Sequence, residues 1–256
     1  MLKDFMLLRA MVKGAGGSGG SGGGGDEASA LDSFINRSIT EINSNVEVVG
    51  GYAFASCTSL TTANFPDCTR IGSNAFARCY SLTTANFPDC TSIGEYAFIS
   101  CYSLTTVSFP ACTMIGSGAF NYCSILTTAS FPVCTSISNT AFNQCYSLTT
   151  VSFPVCTSIS SNAFANCTSL TTASFPACTS ISSFAFRNCR SLMSLYLTGS
   201  SVPKLVNIST FQSTPMSSST LTGAFGSIFV RASLVDAFKS ATNWATYAER
   251  ITAYVE

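Results

Sequence analysis

Residues 79–100 read CYSLTTANFPDCTSIGEYAFIS, and Cys101 begins nearly the same phrase again. All thirteen cysteines of the chain lie on one series, eleven residues apart from Cys57 to Cys189. Six full copies of twenty-two residues run from Cys57 to Asn188 on the pattern C-x-x-L-T-T-x-x-F-P-x-C-T-x-I-x-x-x-A-F-x-x. A half copy, VEVVGGYAFAS (46–56), precedes them with Val46 at a cysteine position, and a degenerate copy, CRSLMSLYLTGS (189–200), follows. A period in the twenties denotes one supersecondary unit stacked on itself and held by contacts between neighbours.

Each copy is two half-turns that rhyme. In CTSLTTANFPD and CTRIGSNAFAR the cysteine stands first, an aliphatic fourth and a phenylalanine ninth. Each coil therefore has two walls, both lined by Cys, Leu or Ile, and Phe. The first half follows a leucine-rich-repeat signature through Leu60, Ala63, Phe65 and Cys68. Its threonines favour a short strand, which Pro66 closes because proline cannot donate to a continuing ladder. The second half, with Gly or Ser after the isoleucine and the Ala75-Phe76 pair, suits a turn and a tight convex bend.

The stretch SLTTANFPDCTRIGSNAFARC (59–79) resembles the BspA-like, or Treponema-type, leucine-rich repeat, and it recurs six times over about half of the chain. The lead-in SITEINSNVEVVGGYAF (38–54) and the tail GSIFVRASLVDAFKSATNWATYAERI (226–251) resemble the segments that flank such repeats. The fold expected is a β-rich solenoid, a leucine-rich repeat of 22-residue coils with short parallel strands and a small α/β C-terminal cap. The resemblance implies a parallel sheet on the concave face and a binding or adhesive role without catalysis. The divisions expected are an apolar and basic peptide (1–13), a Gly/Ser linker (14–25), a lead-in with the half repeat (26–56), the solenoid (57–198) and the cap (199–256). The linker GAGGSGGSGGGG cannot bury a core and also resembles an engineered joint, so native and fused origins for residues 1–25 both stay open.

Stacking at the interstrand spacing of about 4.8 Å would align Cys57, Cys79 and Cys101 in one file and Cys68, Cys90 and Cys112 in another. That separation lies within disulfide range. An odd total leaves at least one thiol over, and a chain of this size has no need of a disulfide framework. For a metal there is no C-x-x-C pair and no histidine. The favoured reading is a file of small buried thiols filling the corners of each coil, with some disulfides second and a metal third.

Only 9% of residues are charged, the net charge is zero, and none of Asp, Glu, Lys or Arg occurs from Tyr96 to Phe186. That composition argues against nucleic-acid binding, which draws its affinity from Lys and Arg on phosphates. The absence of histidine removes the usual general base and the Ser-His-Asp and Cys-His arrangements, so no enzyme and no cofactor is expected. Apolar runs are too short for membrane insertion, and Lys3, Asp4 and Arg9 interrupt any signal-peptide core, so synthesis in the cytoplasm is expected.

Candidate ligand contacts lie on two outward files. By two-residue alternation, Thr84 and Asn86, Thr106 and Ser108, and Thr128 and Ser130 face out beside the buried Ala or Val. They belong to a longer series from Thr62 to Ser174 that is uncharged and rich in hydroxyls, which also suits threonine's ordinary place on a solvated strand. Its regularity resembles that of ice-binding solenoids as well. The second file follows alternate cysteines and holds Tyr80, Tyr102 and Tyr146, a residue type that gives contact area at low entropic cost. In the tail, Ser233 ahead of Asp236 marks a helix start, Asn243 a second one, and Trp244 a core residue of the cap.

The function expected is a non-enzymatic binding or adhesion module for a protein or glycan on a cell surface, carried on a phage tail or virion surface with residues 1–13 docking to virion proteins. The alternative is a structural protein that assembles with copies of itself, whose mass by light scattering would rise with concentration.

Overall fold

A computed structural model describes residues 38–217 and 225–255. The expectations for residues 1–13 and 14–25, and the first part of the lead-in, lie outside the described residues. The chain coils into a solenoid whose two walls are parallel sheets. One is ten-stranded: Glu41–Asn43, Thr62–Asn64, Thr84–Asn86, Thr106–Ser108, Thr128–Ser130, Thr150–Ser152, Thr172–Ser174, Ser194–Leu197, Ser227–Arg231 and Ile251–Tyr254. The other is eight-stranded, with two-residue strands from Val48–Val49 through Arg70–Ile71, Ser92–Ile93 and Met114–Ile115 to Lys204–Leu205. Register advances by one copy per strand, Ala63 opposite Ala85 and Ile71 opposite Ile93.

The second wall, expected to be only turn and bend, is thus a sheet as well. The threonine after each corner cysteine helps to make it one. Thr91 Oγ1 donates to the Thr69 carbonyl at 3.0 Å, and Thr113 Oγ1 donates to the Thr91 carbonyl at 3.2 Å. The other wall has the same device, in which Thr83 Oγ1 donates to the Thr61 carbonyl at 3.1 Å. Each hydroxyl adds a side-chain rung beside the backbone ladder, worth about 1 kcal/mol net.

Between the walls run two files of phenylalanine. Phe54, Phe76, Phe98, Phe120, Phe142, Phe164, Phe186 and Phe211 stack face to face at 5.2–5.7 Å between centroids. The file from Phe65 to Phe175 stacks at 5.2–5.9 Å. Between the files the rings meet at tilted or edge-on angles, as aromatic quadrupoles prefer.

The turn around each Ala-Phe pair requires two left-handed residues per coil, among them Asn74 and Arg78, Tyr96 and Ser100, and Asn162 and Asn166. Asparagine tolerates this region, whereas Tyr96 and Phe184 are held there by the ladder around them. In such a turn, alternate N–H groups leave the coil: those of Asn74, Phe76 and Arg78 donate to Glu95, Ala97 and Ile99 of the next one.

On the second sheet Gly72, Gly94 and Gly116 form a file that lets successive coils nest. A Cβ on Gly94 would lie 2.6 Å from the Gly72 carbonyl carbon. From the next coil on, the file continues as Ser138, Ser160 and Ser182. Where the first serine meets Gly116, the Ser138 N–H reaches the Ile115 carbonyl only at 3.3 Å, against 2.8 Å for Gly94 to Ile71, while the later serine steps close again to 3.0 and 2.9 Å. Gly94→Ala is expected to force this looser spacing between two tight coils and to cost about 1–3 kcal/mol, read as a lower thermal midpoint.

The cap closes the open end of the stack. Phe211 ends its file against Trp244 at 6.1 Å and Tyr247 at 5.2 Å, and Phe238 meets Trp244 edge-on at 5.2 Å. Trp244 is buried, its indole Nε1 donating to the Pro203 carbonyl at 2.7 Å, so it is a core residue of the cap. The helix covers Val235–Ser240 and follows a 3-10 turn, Ala232–Leu234, so Ser233 is not its cap. Asn243 has a left-handed backbone and donates its amide to the Leu205 carbonyl at 2.7 Å, leading into a 3-10 segment, Trp244–Arg250, rather than capping an α-helix.

Candidate functional site

The thiols are the most conspicuous chemistry in the chain. All thirteen are buried as thiols, and no disulfide joins any of them. In one file each Sγ–H from Cys79 to Cys189 donates to a phenylalanine carbonyl of the preceding coil, as from Cys101 to Phe76 and from Cys145 to Phe120, at 3.3 and 3.2 Å. In the other the acceptor lies two residues on, as from Cys90 to Ser92 and from Cys134 to Ser136, at 3.3 and 3.2 Å. Burial pushes Cys90, Cys112, Cys123 and Cys156 up to about 12, and Cys134 and Cys178 up to about 11. The neutral thiol is therefore the working species, a corner filler with one weak hydrogen bond. Among the described residues no cluster of three His, Cys, Asp or Glu is positioned to hold a metal ion.

The outward threonines, serines and asparagine stand where alternation places them. Thr84, Asn86, Thr106, Ser108, Thr128 and Ser130 are all exposed on the ten-stranded sheet. Asn86 lies opposite Ser108, Ser108 opposite Ser130, and Thr106 opposite Thr128. At the N-terminal end of that face the amides chain together, Asn86 Nδ2 donating to Asn64 Oδ1 at 2.6 Å and Asn64 Nδ2 to Asn43 Oδ1 at 3.0 Å. Beyond Asn86 the file narrows to serine, so the surface becomes a grid of hydroxyls about 4.8 Å apart along the stack and about 7 Å apart along each strand.

The tyrosine file divides. Tyr80 and Tyr102 stack at 5.2 Å and 9°, both rings partly exposed. Ser124 occupies the next place, and Tyr146 instead donates its hydroxyl to Gln144 Oε1. The structure thus brings two of the three tyrosines together and leaves the third apart.

Two features were not read from the sequence as sites. One is a groove of about 380 Å³ over the glycine file, lined by Arg70, Ser92, Met114, Glu95 and the backbone of Gly72, Gly94 and Gly116. The glycine following each isoleucine was the available signal, there read as a turn. The other is an aromatic group at the C-terminal end of the ten-stranded sheet, Tyr196, Phe229 and Tyr254. Tyr196 stacks on Phe229 at 4.7 Å and 13° and meets Tyr254 edge-on at 5.8 Å.

The family model described as the BspA type leucine rich repeat region (6 copies) matches residues 30–134 and 113–232. The chain belongs to this family. Among solved structures, the BspA-type chain is similar to a leucine-rich repeat protein from Bacteroides ovatus, at 23% identity and a TM-score of 0.52 over 74% of this chain and 54% of that one. It is also similar to the leucine-rich repeat protein of T. pallidum, at 30% identity and a TM-score of 0.45 over 51% of this chain and 63% of that one. A leucine rich cell surface protein from Faecalibacterium prausnitzii shares 20% identity, with a TM-score of 0.40 and 81% of each chain covered. The chain thus spans 63% and 54% of the T. pallidum and B. ovatus proteins. Among curated proteins no match was found. Among the described residues no helix is long and apolar enough to cross a membrane.

Proposed function

We propose that this BspA-type solenoid is a non-enzymatic binding module that presents the hydroxyl face of its ten-stranded sheet, with the Tyr80–Tyr102 pair and Tyr146, to a protein or glycan on a cell surface. The observation that supports this most is the uncharged, exposed file of Thr84, Asn86, Thr106, Ser108, Thr128 and Ser130, held in register on a rigid wall. Fixed hydroxyls and amides lose little conformational freedom on binding, and the missing charge removes both electrostatic steering and the desolvation cost of burying ions. Membership of the BspA-type family agrees with a binding or adhesive role. Carriage on a phage tail or virion surface through residues 1–13 is the finer form of the proposal and rests on the sequence of residues 1–25.

The test is a binding screen of purified protein against bacterial and epithelial cell surfaces. Replacing Tyr80, Tyr102 and Tyr146 together by alanine, and Ser108→Arg separately, should each weaken cell binding at least tenfold with the thermal midpoint within a few degrees of the parent. Undiminished binding by both variants would sink the assignment.

A further inference from the structure

The hydroxyl file on the ten-stranded sheet ends at a wall. Ser130, Ser152 and Ser174 stand opposite one another on successive strands, and the next two places are Tyr196 and Phe229. Tyr196 has one ring face against Phe229 at 4.7 Å. Its other face looks back along the stack over Ser174, whose side chain ends at Oγ and cannot cover a ring. Thr172 and Ser174 are half-buried beside this wall, whereas Thr150 and Ser152 one coil away are exposed. Tyr254, 39% exposed, sits edge-on to Tyr196 and flanks it. The three strands that build the wall carry one charged side chain, Arg231, in register with Tyr254.

From this we infer a saccharide subsite in which a neutral sugar ring lies over Ser174 with its apolar face on the free face of Tyr196. The inference deepens the proposed function and rests on it. The C–H bonds on the apolar face of a pyranose carry slight positive charge and meet the negative face of the tyrosine ring. The sugar hydroxyls lie within the grid of Thr172, Ser174, Thr150 and Ser152, each able to donate and to accept. Further residues of a linear chain run along the serine file towards Ser130 and Ser108, where the floor is equally flat and uncharged. A protein partner fits this floor less well, because the core of a protein interface is apolar and aromatic while the floor exposes only hydroxyls. An anionic polymer gains little, since only Arg231 on these strands is positive.

Tyr196 is prearranged for this. Phe229 and Tyr254 fix its ring, so little rotamer entropy is lost when a sugar stacks on it.

The test uses the full chain in affinity electrophoresis and titration calorimetry with four neutral polysaccharides, laminarin, dextran, yeast mannan and arabinogalactan, and with polygalacturonate as the anionic control. At least one neutral polymer should retard the protein, with polygalacturonate weaker. Tyr196→Ala should weaken that binding at least tenfold. Ser174→Tyr should do the same by filling the free ring face, while stacking as Tyr196 does on Phe229 and so keeping the fold, checked by near-ultraviolet circular dichroism. Met114→Ser, exposed on the opposite eight-stranded sheet, should leave polysaccharide binding unchanged. Failure to bind any of the four, preference for polygalacturonate, or full binding by both Tyr196→Ala and Ser174→Tyr would each overturn the subsite. Cell binding that depends on Tyr80, Tyr102 and Ser108 without any polysaccharide binding would overturn the subsite and keep the proposed function. Loss of both would end both.

Discussion

Phe120→Ala is expected to cost about 3–5 kcal/mol and to divide unfolding into two transitions. Phe120 is fully buried at mid-stack, face to face with Phe98 and Phe142 at 5.3 Å each, and tilted or edge-on to Phe109 and Phe131 at 6.0 and 5.8 Å. Deleting the ring leaves a cavity that the neighbours cannot close, because each is itself fixed by the next pair of rings. In a solenoid every coil touches only its neighbours, so a weakened junction uncouples the coils before it from those after it. At about 2–4 °C per kcal/mol for a chain of this size, the weaker half should melt about 6–20 °C below the parent. Phe120→Leu retains more of the volume and should give a smaller shift in the same direction. A single calorimetric transition within about 2 °C of the parent would refute the stacked-ring account of stability.

The second large effect concerns the thiols. In native buffer at pH 8 none of the thirteen should react with Ellman's reagent on the scale of minutes, and all thirteen should react once guanidinium unfolds the chain. Burial is the cause twice over, since it bars the reagent and suppresses the thiolate. A thiol at about 12, such as Cys90 or Cys112, is ionised to only about one part in ten thousand at pH 8.

The same shift predicts a pH limit. The folded state holds these protons more tightly than the unfolded chain, whose thiols titrate near 9.0. The stabilisation is therefore complete below pH 9 and is lost as the pH rises through 11 to 12. Each such thiol removes about 1.4 kcal/mol per pH unit as the pH rises above 9, so Cys90, Cys112, Cys123, Cys134, Cys156 and Cys178 alone remove about 8 kcal/mol per unit. Against a typical stability of about 5–15 kcal/mol, alkaline unfolding should fall between about pH 9.5 and 11. Native fluorescence and circular dichroism at pH 12 would contradict it, as would rapid labelling of more than one or two thiols at pH 8.

Much of the coil was legible in the repeat, because each periodic position has one environment. A residue that meets its own copy above and below, such as Phe98 between Phe76 and Phe120, must be suited to self-stacking, and cysteine, leucine, isoleucine and phenylalanine at fixed places leave little choice of interior. The outward Thr and Ser files followed from the same alternation. The second sheet was less legible, since two residues per coil are too few to show a period of two. What reveals it is the Thr91 hydroxyl reaching the Thr69 carbonyl across coils. The Ser233 start signal misled for a related reason. The residues ahead of Val235 are drawn into a 3-10 turn that leads on from the strand Ser227–Arg231, and the cap's helix is only six residues long.

The amino-acid sequence by itself determined the pitch, the family, the buried thiols and phenylalanines, and the uncharged outward face. All of these repeat, and nearest-neighbour stacking turns a repeat in sequence into a file in space. Only the tertiary structure decided where that face stops. Ser194 pairs with Ser227, thirty-three residues on, and Ile228 with Ile251, twenty-three on, so the 22-residue spacing that identified the partners from Thr62 to Ser194 no longer applies. Tyr196, Phe229 and Tyr254 meet because the cap must cover the last apolar coil and its unpaired strand edge, and covering it lays three strands of unequal separation side by side.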